Sequence, residues 1–483
     1  MAISSFFFSR RAVAAQIFSI IVLLISTSVA QDWPMVNKEK GRSSWIGPDV
    51  HFPSPPVKKT PISVPKDVES LIYSQGVLYA MSSGSPNTIT AIDATTGSIL
   101  WWDSVASSVA SCDFVPAVWN DLVFAGGQRG IGLYAFDRLT GRLRWMKSIG
   151  SLYCKAPIVD DSSLYIMRDS LRCLDPSTGS TRWVKPYTGT ASPALDDSRI
   201  YVCTNNAIVA LAKSDGALQW SLNKSIPSYP SVAVANGVLY ASSLDTIAAY
   251  DAATGTVIWT HPLEGKTLAR LATNAIAFTD SILCYAFWSD TSGKGGIAAL
   301  DIRTGSLLWS YSFPVQGAFT PTIVDNVVYV TDWMANHLRG FRIRTGEIVF
   351  HDSTSSYMGQ PIFANGILYV PAGSGIVPFA PAGTAAEMPD NPHTALFIET
   401  SPNPFSTSTV LRVMCKPYAP LRLSVFDGLG RRTASLYNGM STGTLDIRWD
   451  GKDDHGMQVP PGVYHVVAET DTHVQRSSIV FIR

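Results

Sequence analysis

The chain has 483 residues, and its 37 basic and 37 acidic side chains balance to a formal net charge of zero. Arg10 and Arg11 are the only charged residues before residue 31, so the remainder carries 35 basic and 37 acidic residues. This balance argues against the basic surface with which proteins bind nucleic acid. The length predicts more than one domain.

Residues 1–30 form a predicted signal peptide. Arg10 and Arg11 close a positive region, Ile17–Ile25 is apolar, and small residues precede a predicted cleavage between Ala30 and Gln31. The alternative is an uncleaved transmembrane anchor, but this apolar run is short for a span and no other long one follows it. We therefore predict export and no transmembrane segment after cleavage.

A short phrase, Asp-x-x-Thr-Gly-x-x-x-Trp, recurs seven times with some substitutions. Its glycines are 37 to 50 residues apart, at Gly97, Gly141, Gly179, Gly216, Gly255, Gly305 and Gly346. The phrase predicts a hairpin, because glycine supplies a positive φ and Asp and Thr bond to local backbone groups. Six copies end on Trp and the seventh on Phe350. We expect this ring to fill the gap between neighbouring sheets.

A second phrase, a polar turn followed by an apolar strand, precedes the first and occurs eight times, from Gln75–Tyr79 to Asn365–Tyr369. Repeats of about 40 residues with several strands each predict a β-propeller over residues 31–380. We expect eight blades, with seven as the alternative. The last blade lacks the first phrase, so residues 32–35 or the region around Trp45 should supply its outer strand.

The repeats resemble the PQQ-like β-propeller repeat, Ala-x-Asp-x-x-Thr-Gly-x-x-x-Trp, over residues 32–380. This family includes quinone-dependent alcohol dehydrogenases and non-catalytic scaffolds of the bacterial outer membrane. The enzymes imply two adjacent cysteines, calcium ligands from Glu, Asn and Asp, a catalytic Asp and a Trp beneath the quinone. Here no cysteines are adjacent and the ligands find no matching positions, so we predict no cofactor, with PQQ and calcium as the alternative.

Both repeated turns should lie on one face of the propeller, the turn face. The loops of the opposite face, the variable face, differ between repeats and carry aromatic, Arg and amide side chains that suit recognition. The candidate ligand-binding residues are Arg129, Tyr153, Lys155, Arg168, Tyr187, Asn205, Asn206, Tyr229, Arg270, Trp288, Trp333, His337 and Tyr357. The loop around Trp288 is the first candidate, because it lies in the longest interval between repeats.

The six cysteines are sparse. Cys112 and Cys154 occupy similar positions in adjacent repeats, so they either pair in an oxidising compartment or stay small buried residues. The sequence contains no His-Glu-x-x-His, no Gly-x-Ser-x-Gly and no phosphate-binding loop. Nothing therefore predicts a catalytic or metal-binding residue in the propeller.

The composition changes towards the C-terminus. Residues 381–398 are a predicted linker, and residues 399–483 alternate short strands with turn signals, which predicts a small immunoglobulin-like β-sandwich. Asp450, Asp453 and Asp454 suggest calcium, but their spacing does not match an EF-hand loop and suits a polar turn equally well.

Residues 399–483 resemble the type A C-terminal sorting domain of the type IX secretion system. The matching segments, in order, are Ser401–Phe405, Val425–Arg431, Trp449–Asp453, Pro461–Tyr464 and Ile479–Arg483. The resemblance implies export by the type IX machinery to the surface or medium of a Bacteroidota-like bacterium, with removal of this domain. The alternative is a sandwich without a sorting role.

The sequence thus predicts an all-β, exported propeller that binds a protein or glycan and catalyses nothing. A quinone-dependent oxidoreductase or other carbohydrate-active enzyme is the first alternative. A structural subunit of a surface assembly is the second.

Overall fold

The computed structural model describes residues 43–381 and 397–482. The gaps within these ranges are 48–49, 51, 53–54, 85, 107–113, 127–131, 150–155, 161, 190, 227–230, 244, 269–274, 290–291, 315–316, 333–334, 354–358, 402, 415–419, 429, 442–443 and 471–473. The described residues form strands and turns and contain no α-helix. Accordingly, this part of the chain has no apolar helix of membrane-spanning length.

The repeat region consists of short antiparallel strands. In chain order they are β1 (Val57–Lys58), β2 (Ile62–Ser63), β3 (Val68–Ser74), β4 (Val77–Ser82), β5 (Asn87–Asp93), β6 (Ile99–Ala106), β7 (Ala117–Trp119), β8 (Leu122–Gly126), β9 (Gly132–Asp137), β10 (Leu143–Ser148), β11 (Ile158–Val159), β12 (Leu164–Met167), β13 (Leu171–Leu174), β14 (Thr181–Lys185), β15 (Ala194–Leu195), β16 (Arg199–Cys203), β17 (Ala207–Ala212), β18 (Leu218–Asn223), β19 (Val232–Ala235), β20 (Val238–Ser242), β21 (Thr246–Asp251), β22 (Val257–Pro262), β23 (Lys266–Leu268), β24 (Ile276–Phe278), β25 (Ile282–Ser289), β26 (Lys294–Asp301), β27 (Leu307–Ser312), β28 (Thr322–Val324), β29 (Val327–Asp332), β30 (His337–Arg342), β31 (Ile348–Ser353), β32 (Ile362–Ala364), β33 (Ile367–Pro371) and β34 (Gly375–Ala380).

Within the described part of this region the strands form eight sheets. We name them sheet I (β3–β6), II (β7–β10), III (β11–β14), IV (β15–β18), V (β19–β22), VI (β23–β27), VII (β28–β31) and VIII (β32–β34 with β1 and β2). Strands at the inner edges of successive sheets contact each other: β7 meets β11, β15 meets β19, β24 meets β28, and β28 meets β32. Contacts between β3 and β32 join sheet VIII to sheet I. The chain is therefore an all-β propeller, as predicted, and the number of blades stays a prediction.

Burial follows the position of a strand within its sheet. Every residue of β8 is buried, whereas β10, the outer strand of the same sheet, alternates between exposed and half-buried residues. Inner strands are covered by neighbouring sheets on both faces, which explains why they read as continuous apolar runs. Outer strands face solvent on one side.

The repeated Trp joins each sheet to the next. Trp259 of sheet V donates its Nε1–H to the carbonyl of Ile302 in sheet VI, at 2.9 Å. Its ring covers Gly305, where an added Cβ would lie 2.5 Å from the indole. The same bond to the following sheet is made by Trp101, Trp145, Trp183, Trp220 and Trp309. The prediction that this ring fills the gap between sheets is confirmed.

The two repeated turns of a sheet are bonded to each other. In sheet VI the Ile302 N–H donates to the carbonyl of Ser281, at 3.0 Å, and in sheet V the Ala252 N–H donates to Gly237, at 2.9 Å. Both classes of turn therefore lie on one face, as predicted.

Sheet VIII is completed by residues from the start of the propeller. Val57 pairs with Ala380, and Ile62 pairs with Ile376. Ile62 takes the place of the missing Trp, because its side chain covers Gly97 of sheet I at 3.3 Å from an added Cβ. The prediction that residues 32–35 or the Trp45 region form this outer strand is wrong about its location. Residues 57–63 form it, and residues 32–35 lie outside the described range.

Residues 43–63 form a segment that we call the N-terminal strap. The carbonyl of Ser43 accepts the Phe278 N–H at 2.9 Å, and the Ile46 N–H donates to Ile323 at 3.3 Å. Trp45 forms a parallel bridge with Ile323 of β28. Further along, Phe52 packs edge-on against Phe363, with ring centroids 4.9 Å apart. The strap thus runs from the inner strands of sheets VI and VII to the outer edge of sheet VIII.

The C-terminal region is a two-sheet sandwich, as predicted. Its strands are β35 (Phe397–Ser401), β36 (Thr409–Met414), β37 (Pro420–Phe426), β38 (Arg432–Met440), β39 (Thr444–Trp449), β40 (Gly462–Glu469) and β41 (Val474–Phe481). The sheet orders are β35-β36-β39 and β38-β37-β40-β41. Trp449 lies in the shared core, where its ring meets Phe405 and Tyr464 at 5.5 and 5.4 Å.

The three aspartates considered for calcium have other partners. Asp453 Oδ1 accepts the N–H groups of His455 and Met457, and Asp454 accepts the N–H of Ser435. Asp450 pairs with Lys452 at 2.9 Å. Hydrogen bonds and ion pairs of this kind are typical of a polar turn.

Candidate functional site

Six of the thirteen predicted ligand-binding residues lie in the described range: Arg168, Tyr187, Asn205, Asn206, Trp288 and His337. The other seven lie outside it: Arg129, Tyr153, Lys155, Tyr229, Arg270, Trp333 and Tyr357. The predicted cleavage between Ala30 and Gln31 also falls outside it. On the variable face, the structure therefore describes the ends of the strands more fully than the loops that connect them.

Sheet VI is enlarged, which accounts for the longest interval between repeats. Its strands β25 and β26 have eight residues each, and β25 pairs with two successive segments. Ile276 of β24 lies opposite Tyr285, while Thr267 of the additional strand β23 lies opposite Trp288. Sequence reasoning identified the long interval but not the additional strand, because Lys266–Leu268 has only three residues.

Aromatic and cationic groups meet at the end of this hairpin. The ammonium of Lys266 lies 4.7 Å from the centre of the Phe287 ring, and Trp288 is half-buried. An added Cβ at Gly296 would lie 2.3 Å from the same Phe287 ring, so this glycine permits the ring to lie flat on β26. Phe287 itself is buried, so the side chains presented at this end of the hairpin are the half-buried Lys266 and Trp288.

The other described candidates do not converge. Arg168 is buried in sheet III, and Tyr187 is half-buried against the main apolar cluster. Asn205 and Asn206 are exposed in the turn between β16 and β17. Of these four side chains, those of Asn205 and Asn206 are exposed and accessible to a ligand in solution.

His337 belongs to a charged cluster that the sequence analysis did not assemble. Arg339 forms a buried ion pair with Asp332, contacts His337 Nδ1, and lies 5.0 Å above the ring of Phe313. The rings of His337 and His351 meet at 4.7 Å. Burial lowers the pKa of His337, and the positive Arg339 lowers it further. The available signal was Arg339, which lies between Leu338 and Gly340-Phe341 in the sequence, because a charge among such residues needs a partner.

The turn face contains a cleft that sequence reasoning missed. It has a volume of about 600 Å³ and lies between sheets V and VI, beside the start of the strap. Its walls include Trp45, Tyr240, Trp259 and Phe278, of which the last three are buried. The only sequence signal was Trp45, a tryptophan outside the repeat pattern. The cleft offers an aromatic floor beside exposed backbone turns.

Two charged side chains stand at this cleft. Asp280 and Arg303 line it, and neither forms a salt bridge within the described residues. The hydroxyl of Tyr240 likewise has no hydrogen-bond partner in the described part of the chain, whereas the equivalent Tyr201 hydroxyl donates to Asp196 at 2.5 Å. Burial, reinforced by the negative charge of Asp280, raises the pKa of Tyr240 to about 12. The cleft can therefore offer a neutral phenol, a carboxylate and a guanidinium to one ligand.

A smaller polar pocket of about 360 Å³ lies between sheets III and IV. Its charges satisfy each other, because Lys213 pairs with Asp160 at 2.5 Å and Arg182 pairs with Asp175 at 2.8 Å. Cys173 lines this pocket, and burial raises the pKa of its thiol. The pocket therefore offers little free charge to a ligand.

Among the described residues, no three His, Cys, Asp or Glu side chains approach one another closely enough to hold a metal ion. The absence of a cofactor stays a prediction. The described cysteines Cys173, Cys203 and Cys284 are buried free thiols, and the predicted pair Cys112 and Cys154 lies outside the described range.

Comparison with known proteins identifies the repeat family. Residues 35–185, 167–287 and 243–384 match the family described as outer membrane protein assembly factor BamB. These matches together span well over half of the chain. The chain belongs to the BamB family. The predicted PQQ-like propeller is therefore confirmed, whereas the sorting domain stays a prediction.

Similar proteins agree with this assignment. BamB of Moranella endobia (strain PCIT) is 24% identical over 265 residues, which is 48% of this chain and 66% of that protein, just under two thirds. The crystal structure of BamB from Moraxella catarrhalis has a TM-score of 0.54 and 19% identity, over 67% of this chain and 96% of that one. A europium-containing methanol dehydrogenase has a TM-score of 0.60 and 12% identity, over 71% and 90%. At these identities the two structures show the fold alone.

Proposed function

We propose that this BamB-family chain is a non-catalytic scaffold of the cell envelope or cell surface that binds a protein or glycan through its variable face. The family description supports a role in the cell envelope, because it names an assembly factor of the outer membrane. The predicted signal peptide supports a location outside the cytoplasm. The balanced net charge supports recognition by shape and aromatic contact rather than by a strong electrostatic field.

The enlarged sheet VI carries this proposal. A repeat fold is mostly scaffold, so a specific contact belongs where one repeat departs from the others. Here the departure is the long β25–β26 hairpin, which has Lys266 and Trp288 at its end and the buried ring of Phe287 beneath Lys266. Aromatic and cationic side chains on a rigid element dominate the energetics of binding surfaces, because they bury a large area at low entropic cost.

Photo-cross-linking in the producing cell tests this contact. A benzophenone amino acid at position 288 should give a discrete cross-linked species that mass spectrometry identifies as one partner. Position 102 is the matched control, since Trp102 is 61% exposed on an outer strand far from the hairpin in sequence. Purified Trp288→Ala should then bind that partner at least tenfold more weakly, while Trp102→Ala binds as the parent does. Equal cross-linking from both positions would contradict a specific site at the hairpin.

We also propose that residues 399–483 direct export through the type IX system. The support is that five family segments occur in order along a chain region that forms a compact sandwich. Deletion of residues 399–483 should leave the propeller in the periplasm, and fusion of this segment to a periplasmic passenger should carry it to the surface. A deleted chain that still reaches the surface would refute this role without affecting the binding proposal.

A further inference from the structure

The gap between sheets V and VI lacks an ion pair that bridges an equivalent gap. Between sheets III and IV, Asp160 directly after β11 pairs with Lys213 of the next sheet at 2.5 Å. The repeats place Ala235 and Ile302 at these two positions of sheets V and VI. Two uncharged side chains therefore replace the bridge, and the cleft there has a volume of about 600 Å³, against about 360 Å³ between sheets III and IV.

The hydroxyl of Tyr240 is left without the acceptor that equivalent tyrosines have. At the same position of the repeat, Tyr79 donates to the Arg138 carbonyl at 3.2 Å, and Tyr201 donates to the Asp196 carboxylate at 2.5 Å. Tyr240 lines the cleft and is 6% exposed, yet its hydroxyl has no hydrogen-bond partner within the described part of the chain. A buried donor without a partner is costly, so a ligand that offers an acceptor to this hydroxyl is favoured.

The walls of the cleft are apolar, and exposed residues at its edge carry one charge of each sign. Phe278 packs against Tyr240 with ring centroids 4.9 Å apart, and the half-buried Trp45 lines the cleft from the strap. Asp280 and Arg303 line the same cleft and form no salt bridge within the described residues. Opposite charges side by side give no net preference for a cation or an anion. A carboxylate accepts hydrogen bonds and a guanidinium donates them, so both suit hydroxyl groups.

We propose that this cleft binds a neutral sugar unit of a glycan. One face of a sugar ring consists of C–H groups that pack on aromatic side chains, and its hydroxyls can accept from Tyr240 and Arg303 and donate to Asp280. The cleft volume lies within the range of about 300–1,000 Å³ that small-ligand sites occupy. An aromatic side chain of a protein would fill the apolar part, but it offers at most one polar group to these three. Because the cleft is on the turn face, the site does not depend on the partner proposed for the variable face.

Saturation-transfer NMR on the purified full-length chain tests the proposal. The probes are the uncharged methyl glycosides of glucose, galactose, mannose and N-acetylglucosamine. At least one should receive saturation on its ring C–H protons and bind with millimolar affinity. Methyl glucuronide, an anion, and glucosamine, a cation, should bind no more tightly than that probe, and tighter binding of either would overturn the neutral class of ligand.

Two variants locate the site. Tyr240→Phe removes only the hydroxyl and should weaken binding of the sugar probe by about three- to tenfold. Ala235→Asp supplies the carboxylate that Asp196 provides in sheet IV, so it should engage the Tyr240 hydroxyl and weaken binding by about tenfold. Tyr201→Phe is the matched control, because it removes the equivalent hydroxyl of sheet IV outside the cleft, and it should bind the probe as the parent does.

The remaining outcomes separate this site from other sources of binding. The proposal is overturned if none of the neutral probes is saturated, or if neither variant weakens their binding. Saturation of N-acetyltryptophanamide without any of the sugars would also overturn it, and would identify an aromatic side chain of a protein as the occupant. Sugar binding that is lost in Trp288→Ala but kept in Tyr240→Phe would place the glycan on the variable face instead.

Discussion

Replacing Gly305 by alanine tests the joint between sheets V and VI. Gly305 has φ +71°, and an added Cβ would lie 2.5 Å from the indole of Trp259. Gly237 is a matched control, because it has φ +76° in a neighbouring turn and nothing lies within 4 Å of an added Cβ. Both variants bear the left-handed backbone strain of an L-residue, about 1–2 kcal/mol. Only Gly305→Ala meets the ring.

The additional cost follows from what the ring does. Overpacking a filled site costs about 1–3 kcal/mol. Displacing the indole also weakens its bond to the Ile302 carbonyl, worth about 1 kcal/mol. We therefore expect Gly305→Ala to lower the free energy of unfolding by about 1–4 kcal/mol more than Gly237→Ala does. Removing the ring with Trp259→Ala should abolish this difference, as a double-mutant cycle would show.

Urea unfolding followed by tryptophan fluorescence and circular dichroism measures the difference. The two signals must coincide, because a chain of this length need not unfold in one step, and the slopes with urea must match between variants. Equal destabilisation by the two alanines would refute the reasoning. It would mean that the glycines of the repeated phrase are required for backbone conformation alone and not for contact with the ring.

Three further predictions concern closure, pH and cofactor. Ile62→Ala should lower the free energy of unfolding, measured with urea, by about 2–5 kcal/mol, because Ile62 is buried where sheet VIII closes the ring. Val57→Ala is the control, since Val57 is 43% exposed on the same sheet, and it should change the free energy of unfolding by less than about 0.5 kcal/mol. Because the pKa of His337 is lowered in the folded chain, the unfolded chain binds the proton more readily, and stability should fall as pH drops below about 6.5. Thermal melts between about pH 7 and 5 should show a smaller loss of stability for His337→Gln than for the parent. Titration of the chain with PQQ and calcium should release no saturable heat and give no absorbance change; tight binding would instead favour an oxidoreductase.

Much of the propeller could be predicted because its determinants are local. The Asp-x-x-Thr-Gly turn needs only its own side chains, as when Asp251 Oδ1 accepts the N–H groups of Ala253 and Thr254. The Trp that follows is fixed by its spacing from the glycine. Such signals lie within about ten residues, so one sequence is enough to identify them.

Features that depend on distant pairing could not be predicted. Nothing local distinguishes Val57–Lys58 and Ile62–Ser63 from a loop, and they become strands only because β34 offers them an edge. The cleft is likewise assembled from the strap and two sheets. The pairing of Asp332 with Arg339 joins two strands across a loop, so the sequence analysis named His337 without its partners. The residues that line this cleft were not singled out because the turns of that face are uniform in sequence.

Closure by the earliest strand has a consequence for biosynthesis. Val57 cannot meet Ala380 until the ribosome has made all the residues between them, which takes roughly 15–65 s at 5–20 residues per second. Throughout that time the nascent chain carries an unpaired segment with the apolar Ile62, because β34, the strand that pairs with it, is made last. A holding chaperone that recognises short extended apolar segments would find its site there. The completed ring removes that site, so release from such a chaperone would report that synthesis of the propeller has finished.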